Sequence, residues 1–201
     1  MSAAEVTRRA AVFLDRDGVL IEAVVRDGKP FPPTSPDEVV VVPGMVAACE
    51  RMRRAGFALV VVTNQPDVAR GGQSESGVAA INSVLRHTVD LDAIYVCPHD
   101  NADGCRCRKP EPGMLLTAAH DLSLDLDRSF MVGDRWSDVA AGQRAGCRTV
   151  YIDNGYQEQQ PTAPDHVVDH PVEALDWILT TVRQEEGGRV PTTSLRHQDL
   201  R

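Results

Sequence analysis

Two aspartates two residues apart, Asp15 and Asp17, are the first residues in this chain of 201 that could do chemistry. They follow a short apolar run and precede Gly18, which makes a turn cheap, so both carboxylates can face one pocket. An aspartate so placed can attack as a nucleophile while its neighbour moves a proton. Alone, Asp-x-Asp-Gly reads equally well as a turn or a calcium-type loop. Three later groups carry the same ambiguity. Thr63-Asn64-Gln65 puts a hydroxyl after a second apolar run, where threonine and asparagine are also common without function. Arg108-Lys109-Pro110 puts cations before a helix start, whose backbone donors suit an anion, although a Lys-Pro pair is usually a solvated turn. Gly133-Asp134-Arg135-Trp136-Ser137-Asp138 adds two carboxylates, one of which could cap a helix. Taken together the bland readings weaken. Four successive strand ends supply a nucleophile, a hydroxyl, a cation and acids for a hard metal ion, the parts that magnesium-assisted phosphoryl transfer needs.

A second cluster has a different chemistry. Cys97, His99, Cys105 and Cys107 fall within eleven residues. With no secretory signal in view, that spacing points to metal ligation before disulfides. Four such ligands fill a tetrahedral shell and leave no position for water, so a zinc ion here would be structural, with iron the less favoured occupant. Cys49 and Cys147 stand in apolar or small-residue surroundings and are expected to be buried free thiols. His87, His120, His166, His170 and His197 are expected to have no role in the chemistry.

The elements that must position these groups are legible as an alternation. Apolar, β-branched runs at 11–14, 58–62, 93–96, 130–132 and 149–152, with a weaker one at 166–168, read as strands buried on both faces. Helical patterns at 43–55, 74–91, 114–122, 138–145 and 172–183 accompany them, the first opened by Pro43 and closed by Gly56. This predicts an α/β fold, a doubly wound, Rossmann-like parallel sheet. In such a sheet ligands bind beyond the carboxyl ends of the strands, where all four motifs sit. The proline-rich segment 26–36 is expected to be a loop too short for a cap domain. One domain is expected over 1–183, with a metal-binding loop at 97–107 and a polar tail over 184–201.

Composition sets the outer bounds. The net charge of −8, from 21 Lys+Arg against 29 Asp+Glu, argues against nucleic acid as a partner, though local cations can hold a small anion. No apolar run reaches the roughly 18 residues of a membrane span, and the first residues, MSAAEVTRRA, lack a secretory apolar stretch. A cytoplasmic protein is expected, without a membrane partner. It is expected to be a monomer, because no long apolar helix face remains once the sheet is covered.

Phe13-Leu14-Asp15-Arg16-Asp17-Gly18-Val19, Val62-Thr63-Asn64-Gln65, Arg108-Lys109-Pro110 and Val132-Gly133-Asp134 resemble, in order and placement, the four motifs of the haloacid dehalogenase superfamily. The resemblance covers about residues 10 to 180. It is closest to the small, nearly capless branch that holds histidinol-phosphate phosphatases and D-glycero-D-manno-heptose 1,7-bisphosphate 7-phosphatases. Cys97-Pro98-His99 followed by Cys105-Arg106-Cys107-Arg108-Lys109-Pro110 looks like that branch's zinc loop. The resemblance implies a magnesium-dependent phosphomonoesterase acting on a small phosphate ester through an aspartyl phosphate on Asp15. Asp17 would be the acid and base, with Thr63 and Lys109 holding the phosphoryl group. Asp15, the Asp17 carbonyl and Asp134 would bind Mg2+, Asp138 would orient that shell, and Cys97, His99, Cys105 and Cys107 would bind Zn2+. Asn64, Gln65, Arg70, Arg108 and Arg135 are the candidates for substrate contact. Ala69-Arg70-Gly71-Gly72 and Glu111-Pro112-Gly113-Met114 resemble the heptose type and favour a sugar phosphate over histidinol phosphate or another small ester. A non-catalytic zinc- and anion-binding module is the remaining alternative, disfavoured because every motif acid is present.

Overall fold

A computed structural model of the chain describes residues 8–187. The apolar runs become a six-stranded sheet of β1 (Arg9–Leu14), β4 (Ala58–Asn64), β5 (Ala93–Cys97), β6 (Leu124–Gly133), β7 (Arg148–Ile152) and β8 (His166–Val168). Every pairing in it is parallel, and the order is β5-β4-β1-β6-β7-β8. The chain starts in the middle, winds out through β4 and β5, then crosses back to β6 on the other side of β1. The point where the direction reverses therefore lies between β1 and β6, and the crevice beyond their carboxyl ends is where this topology binds ligands.

Both faces of the sheet are covered, which is why the strands read as unbroken apolar runs. Val12, Leu14, Leu59 and Val61 point towards α1 (Met45–Arg54), α2 (Glu75–Thr88) and α5 (Pro171–Gly187). Ala11, Phe13, Val60 and Val62 point towards α3 (Gly113–Asp121) and α4 (Trp136–Ala145). The helix ends carry the expected chemistry. Ser74 caps α2 by accepting the Gly77 amide at 3.0 Å, and Gly146 ends α4 at a positive φ of 84°.

Four particulars differ from the sequence reading. β6 begins at Leu124, well before residue 130, and its pairing with β1 shifts register between Ala10 and Val12. β4 continues through Asn64, so Thr63 and Asn64 lie on the strand itself. The proline-rich segment contains a hairpin of β2 (Val24–Arg26) and β3 (Lys29–Phe31). Asp27 and Gly28 at its tip both have positive φ, 50° and 71°, as a two-residue type I′ turn requires. Finally, α5 runs to Gly187, past residue 183, and the remainder of the expected tail lies outside the described residues. Cys49 and Cys147 are buried free thiols. Among the described residues no helix is long and apolar enough to cross a membrane.

Candidate active site

The carboxyl ends of β1, β4 and β6 and the start of α4 converge on an open cleft of about 320 Å³. Asp15 stands at the end of β1, and its amide donates to Val132 O on β6 at 3.0 Å, across the reversal point. Its Oδ1 accepts the Arg16 amide at 2.8 Å and lies 2.9 Å from Lys109 Nζ. Lys109 is 3% exposed. Besides Asp15, its ammonium meets Asp138 Oδ1 at 2.6 Å and donates to Val62 O at 2.8 Å, so all three donors are used. Burial works against that charge, but Asp138 and Asp15 outweigh it and hold the pKa above the usual lysine value. Asn64 fixes the lysine from β4: its Oδ1 accepts the Lys109 amide at 3.1 Å and its Nδ2 donates to Lys109 O at 2.9 Å.

Asp17 turns away from this lysine. Gln65 Nε2 donates to its Oδ2 at 2.8 Å and to Thr63 Oγ1 at the same distance. Burial raises the Asp17 pKa, the Arg16 guanidinium opposes that rise, and the neighbouring Asp15 charge adds to it. A carboxyl in that balance holds a proton more readily than a solvated one and can still release it.

Asp134 and Asp138 complete an acidic floor. Asp134 is 0% exposed, and its Oδ2 accepts Asn154 Nδ2 at 3.1 Å while its Oδ1 has no hydrogen-bond partner. Its pKa is raised well above the carboxylate range by burial, then by Asp15 and Asp138. Asp138 accepts the Arg135 amide on Oδ2 at 3.0 Å, and its Oδ1 has only the Lys109 ion pair. Burial lifts its pKa to about 6 against the pull of Lys109, and Asp15 adds to the lift. Carboxylate oxygens of Asp15, Asp134 and Asp138 lie within 4.8 Å of one another. Three buried acids facing one ammonium, with an unpartnered oxygen among them, are a donor set that fits a hard divalent cation. The Asp17 side chain is outside that group.

Arg70, Arg108, Arg135 and Asn64 line the cleft, and Pro30, Phe31 and Pro32 of the hairpin form a wall. Each arginine is tethered. Arg70 grips Asp100 through Nε at 2.9 Å and Nη2 at 2.6 Å, Arg108 donates to Asn101 Oδ1 at 2.7 Å, and Arg135 pairs with Glu158. Gln65 is 1% exposed and lies behind Asp17 and Thr63, away from the open cleft. Asn154, Tyr156 and Glu158 sit in the link after β7, where no sequence motif marks them. Arg16 was readable only as the middle of Asp-x-Asp, yet it is entirely buried.

The second cluster closes as its spacing predicts. Cys107 Sγ lies 3.3 Å from Cys97 Sγ, His99 Nδ1 and Cys105 Sγ, and Cys97 Sγ lies 3.6 Å from His99 Nδ1 and Cys105 Sγ. Those separations approach the edges of a tetrahedron built on metal bonds of about 2.0–2.3 Å. The loop they fold returns directly into Arg108 and Lys109.

Comparison with known proteins matches this architecture. Residues 106–174 fit the family model described as "HAD-hyrolase-like". The chain is 35% identical over 185 residues to the D-glycero-beta-D-manno-heptose-1,7-bisphosphate 7-phosphatase of Yersinia pestis, covering 86% of this chain and 90% of the relative. It is 36% identical over 184 residues to the protein of that name from Escherichia coli strain K12, covering 86% and 89%. In structure it superposes with a TM-score of 0.73 on the D,D-heptose 1,7-bisphosphate phosphatase of B. bronchiseptica, solved in complex with magnesium and phosphate. That pair is 32% identical, covering 86% of this chain and 99% of the other.

Proposed function

This chain belongs to the haloacid dehalogenase superfamily of hydrolases, among its heptose bisphosphate phosphatase relatives, and from that premise we propose that it removes a phosphate from a sugar bisphosphate of the D-glycero-D-manno-heptose 1,7-bisphosphate type. The observation that carries the chemistry is the meeting of Asp15 with Lys109 at 2.9 Å beside Asp17, Thr63 and the acidic floor at the reversal point of the sheet.

In this reading an oxygen of Asp15 attacks phosphorus as the ester P–O bond breaks. Asp17 gives its proton to the departing alkoxide oxygen, leaving an alcohol and an aspartyl phosphate. Asp17, now ionised, takes a proton from the water that attacks the same phosphorus, which releases inorganic phosphate and restores both acids. The Thr63 hydroxyl holds a phosphoryl oxygen, and Lys109 sets its positive charge beside the phosphoryl group on Asp15. The Thr63 oxygen already accepts from Gln65, so its proton is available to donate. Asp15, Asp134 and the Asp17 carbonyl would hold magnesium, with Asp138 beside them. When bound, that ion supplies positive charge against the phosphoryl oxygens. Cys97, His99, Cys105 and Cys107 would hold a structural zinc. Arg70, Arg108 and Arg135 are placed to meet the rest of the substrate, a role supported by their position on the cleft rim.

Phosphate release from a panel of sugar phosphates, histidinol phosphate and p-nitrophenyl phosphate, with and without magnesium, tests this directly. The heptose bisphosphate should give the highest kcat/KM, and Asp15→Asn should abolish release from every ester while the fold is retained. Near-full activity in Asp15→Asn would sink the nucleophile. A preference for histidinol phosphate would sink the substrate class while leaving the chemistry.

A further inference from the structure

Arg16 is the largest of the fully buried side chains, at 0% exposure, and the reaction sequence gives it nothing to do. A guanidinium held away from water is costly unless its partners satisfy it. Its first partner is Asp17: Nε lies 3.2 Å from both carboxylate oxygens and Nη2 lies 3.0 Å from Oδ2. Its second is Asn82, 66 residues further along the chain, whose Oδ1 accepts Nη1 at 2.9 Å. Asn82 is itself 8% exposed, on the face of α2 that buries Val78, Ile81 and Leu85. A polar residue on that face has no packing reason to be there, and here its oxygen is spent on Arg16.

We infer that Arg16 and Asn82 are positioning residues: α2 anchors the guanidinium through Asn82, and the guanidinium's planar fork fixes the direction of the Asp17 carboxylate. A single donor would leave the carboxylate free to turn about its last torsion. A fork on both oxygens, with Gln65 donating to Oδ2 at 2.8 Å, does not. Proton transfer depends on placement within hydrogen-bond reach, so the turnover step feels the loss of that anchor. Neither Arg16 nor Asn82 lines the cleft, so substrate binding does not feel it. The inference rests on Asp17 being the acid and base.

The test compares steady-state kinetics of Asn82→Leu and Asn82→Asp, each counted per folded molecule by circular dichroism. Asn82→Leu keeps the volume and removes the acceptor. Its kcat should fall about ten- to a hundredfold with KM unchanged. Asn82→Asp keeps an acceptor in place and should recover most of the loss. If Asn82→Leu does not fold, Arg16→Lys keeps the buried charge and removes the fork, and the same fall in kcat is expected. Equal losses in the Leu and Asp variants would mean packing alone and overturn the inference. So would wild-type kcat in Asn82→Leu, or in Arg16→Lys where Asn82→Leu does not fold. Asp17→Asn is measured beside them. Full turnover in that variant would overturn the acid and base reading itself, whereas an inactive Asp17→Asn with an unaffected Asn82→Leu overturns only the positioning role.

Discussion

Single residues in this site are constrained from more than one side, and Gly18 shows it most sharply. Its φ of 81° is the left-handed region that glycine enters freely, and a Cβ there would overlap Asp134 Oδ2 and crowd Tyr156 Oη. The turn that presents Asp17 and the acid that faces Asp15 therefore share one space. Gly18→Ala should force Asp134 or the turn to move, lowering kcat at least about a hundredfold, the effect of roughly 1 Å of misplacement at reacting groups. Phosphate release at saturating magnesium measures it, and an alanine variant with normal turnover would show that the turn has slack. Gly18 was legible in the sequence as a turn-former, and Asp15, Asp17, Lys109 and Asp134 as residues able to do chemistry, which the fold gathers at one end of the sheet. Asn154 and Tyr156 were not, because their link after β7 has no periodicity or motif and gains its meaning only when it folds back over Asp134. Gln65 was readable as polar, but not as a group whose one amide serves both Asp17 and Thr63.

At the scale of elements, the zinc-type loop is the piece whose structure depends most on something other than packing. Between Cys97 and Lys109 the only helical piece is one short turn at Asn101–Asp103, and Cys105 and Cys107 are only partly buried. Four converging ligands can supply the missing stability when they hold a metal. Metal analysis of protein purified without chelator should find about one zinc per chain, and removing it should loosen the loop so that trypsin cuts at Arg106 and Arg108 while the sheet stays intact. Zinc-free protein with the same digestion pattern would show that the loop holds itself. The loop was predictable because ligand spacing is a local property. The hairpin of β2 and β3 carried a signal as well, Asp27-Gly28, but it lies among prolines that suggested irregular chain. Strand centres were legible from apolar runs because parallel strands are buried on both faces. Their ends were not: Leu124 and Asp125 pair with Arg9 and Ala10 of β1 ahead of a register shift that alternation cannot announce.

Across the whole molecule, the strand order concentrates negative charge at one place, and stability should depend on pH through that place. The reversal between β1 and β6 brings Asp15, Asp134 and Asp138 together, with the Lys109 ammonium paired to Asp15 and Asp138. Asp138 titrates at about 6 and Asp134 is raised well above the carboxylate range, whereas both should titrate near 3.9 in the unfolded chain. A carboxyl whose folded pKa is raised contributes stability that is complete below the unfolded value and is lost as pH climbs through the folded value. Lys109 does not offset this trend. Its raised pKa contributes stability throughout the range below the ordinary lysine value, so it is constant between pH 5 and 8. Magnesium-free protein should therefore melt at a lower temperature at pH 7.5 than at pH 5.5. Magnesium binds the ionised acids, so its stabilisation should grow over the same interval. At a hundredfold excess over its dissociation constant that gain is about 2.7 kcal/mol, or roughly 5–10 °C in a domain of this size. Thermal melts at the two pH values, on protein dialysed free of magnesium and then resupplied, measure both effects. A magnesium increment no larger at pH 7.5 than at pH 5.5 would mean that the acidic floor is already neutralised within the protein. The cluster at the sheet's reversal point would then not be the place where the cation binds.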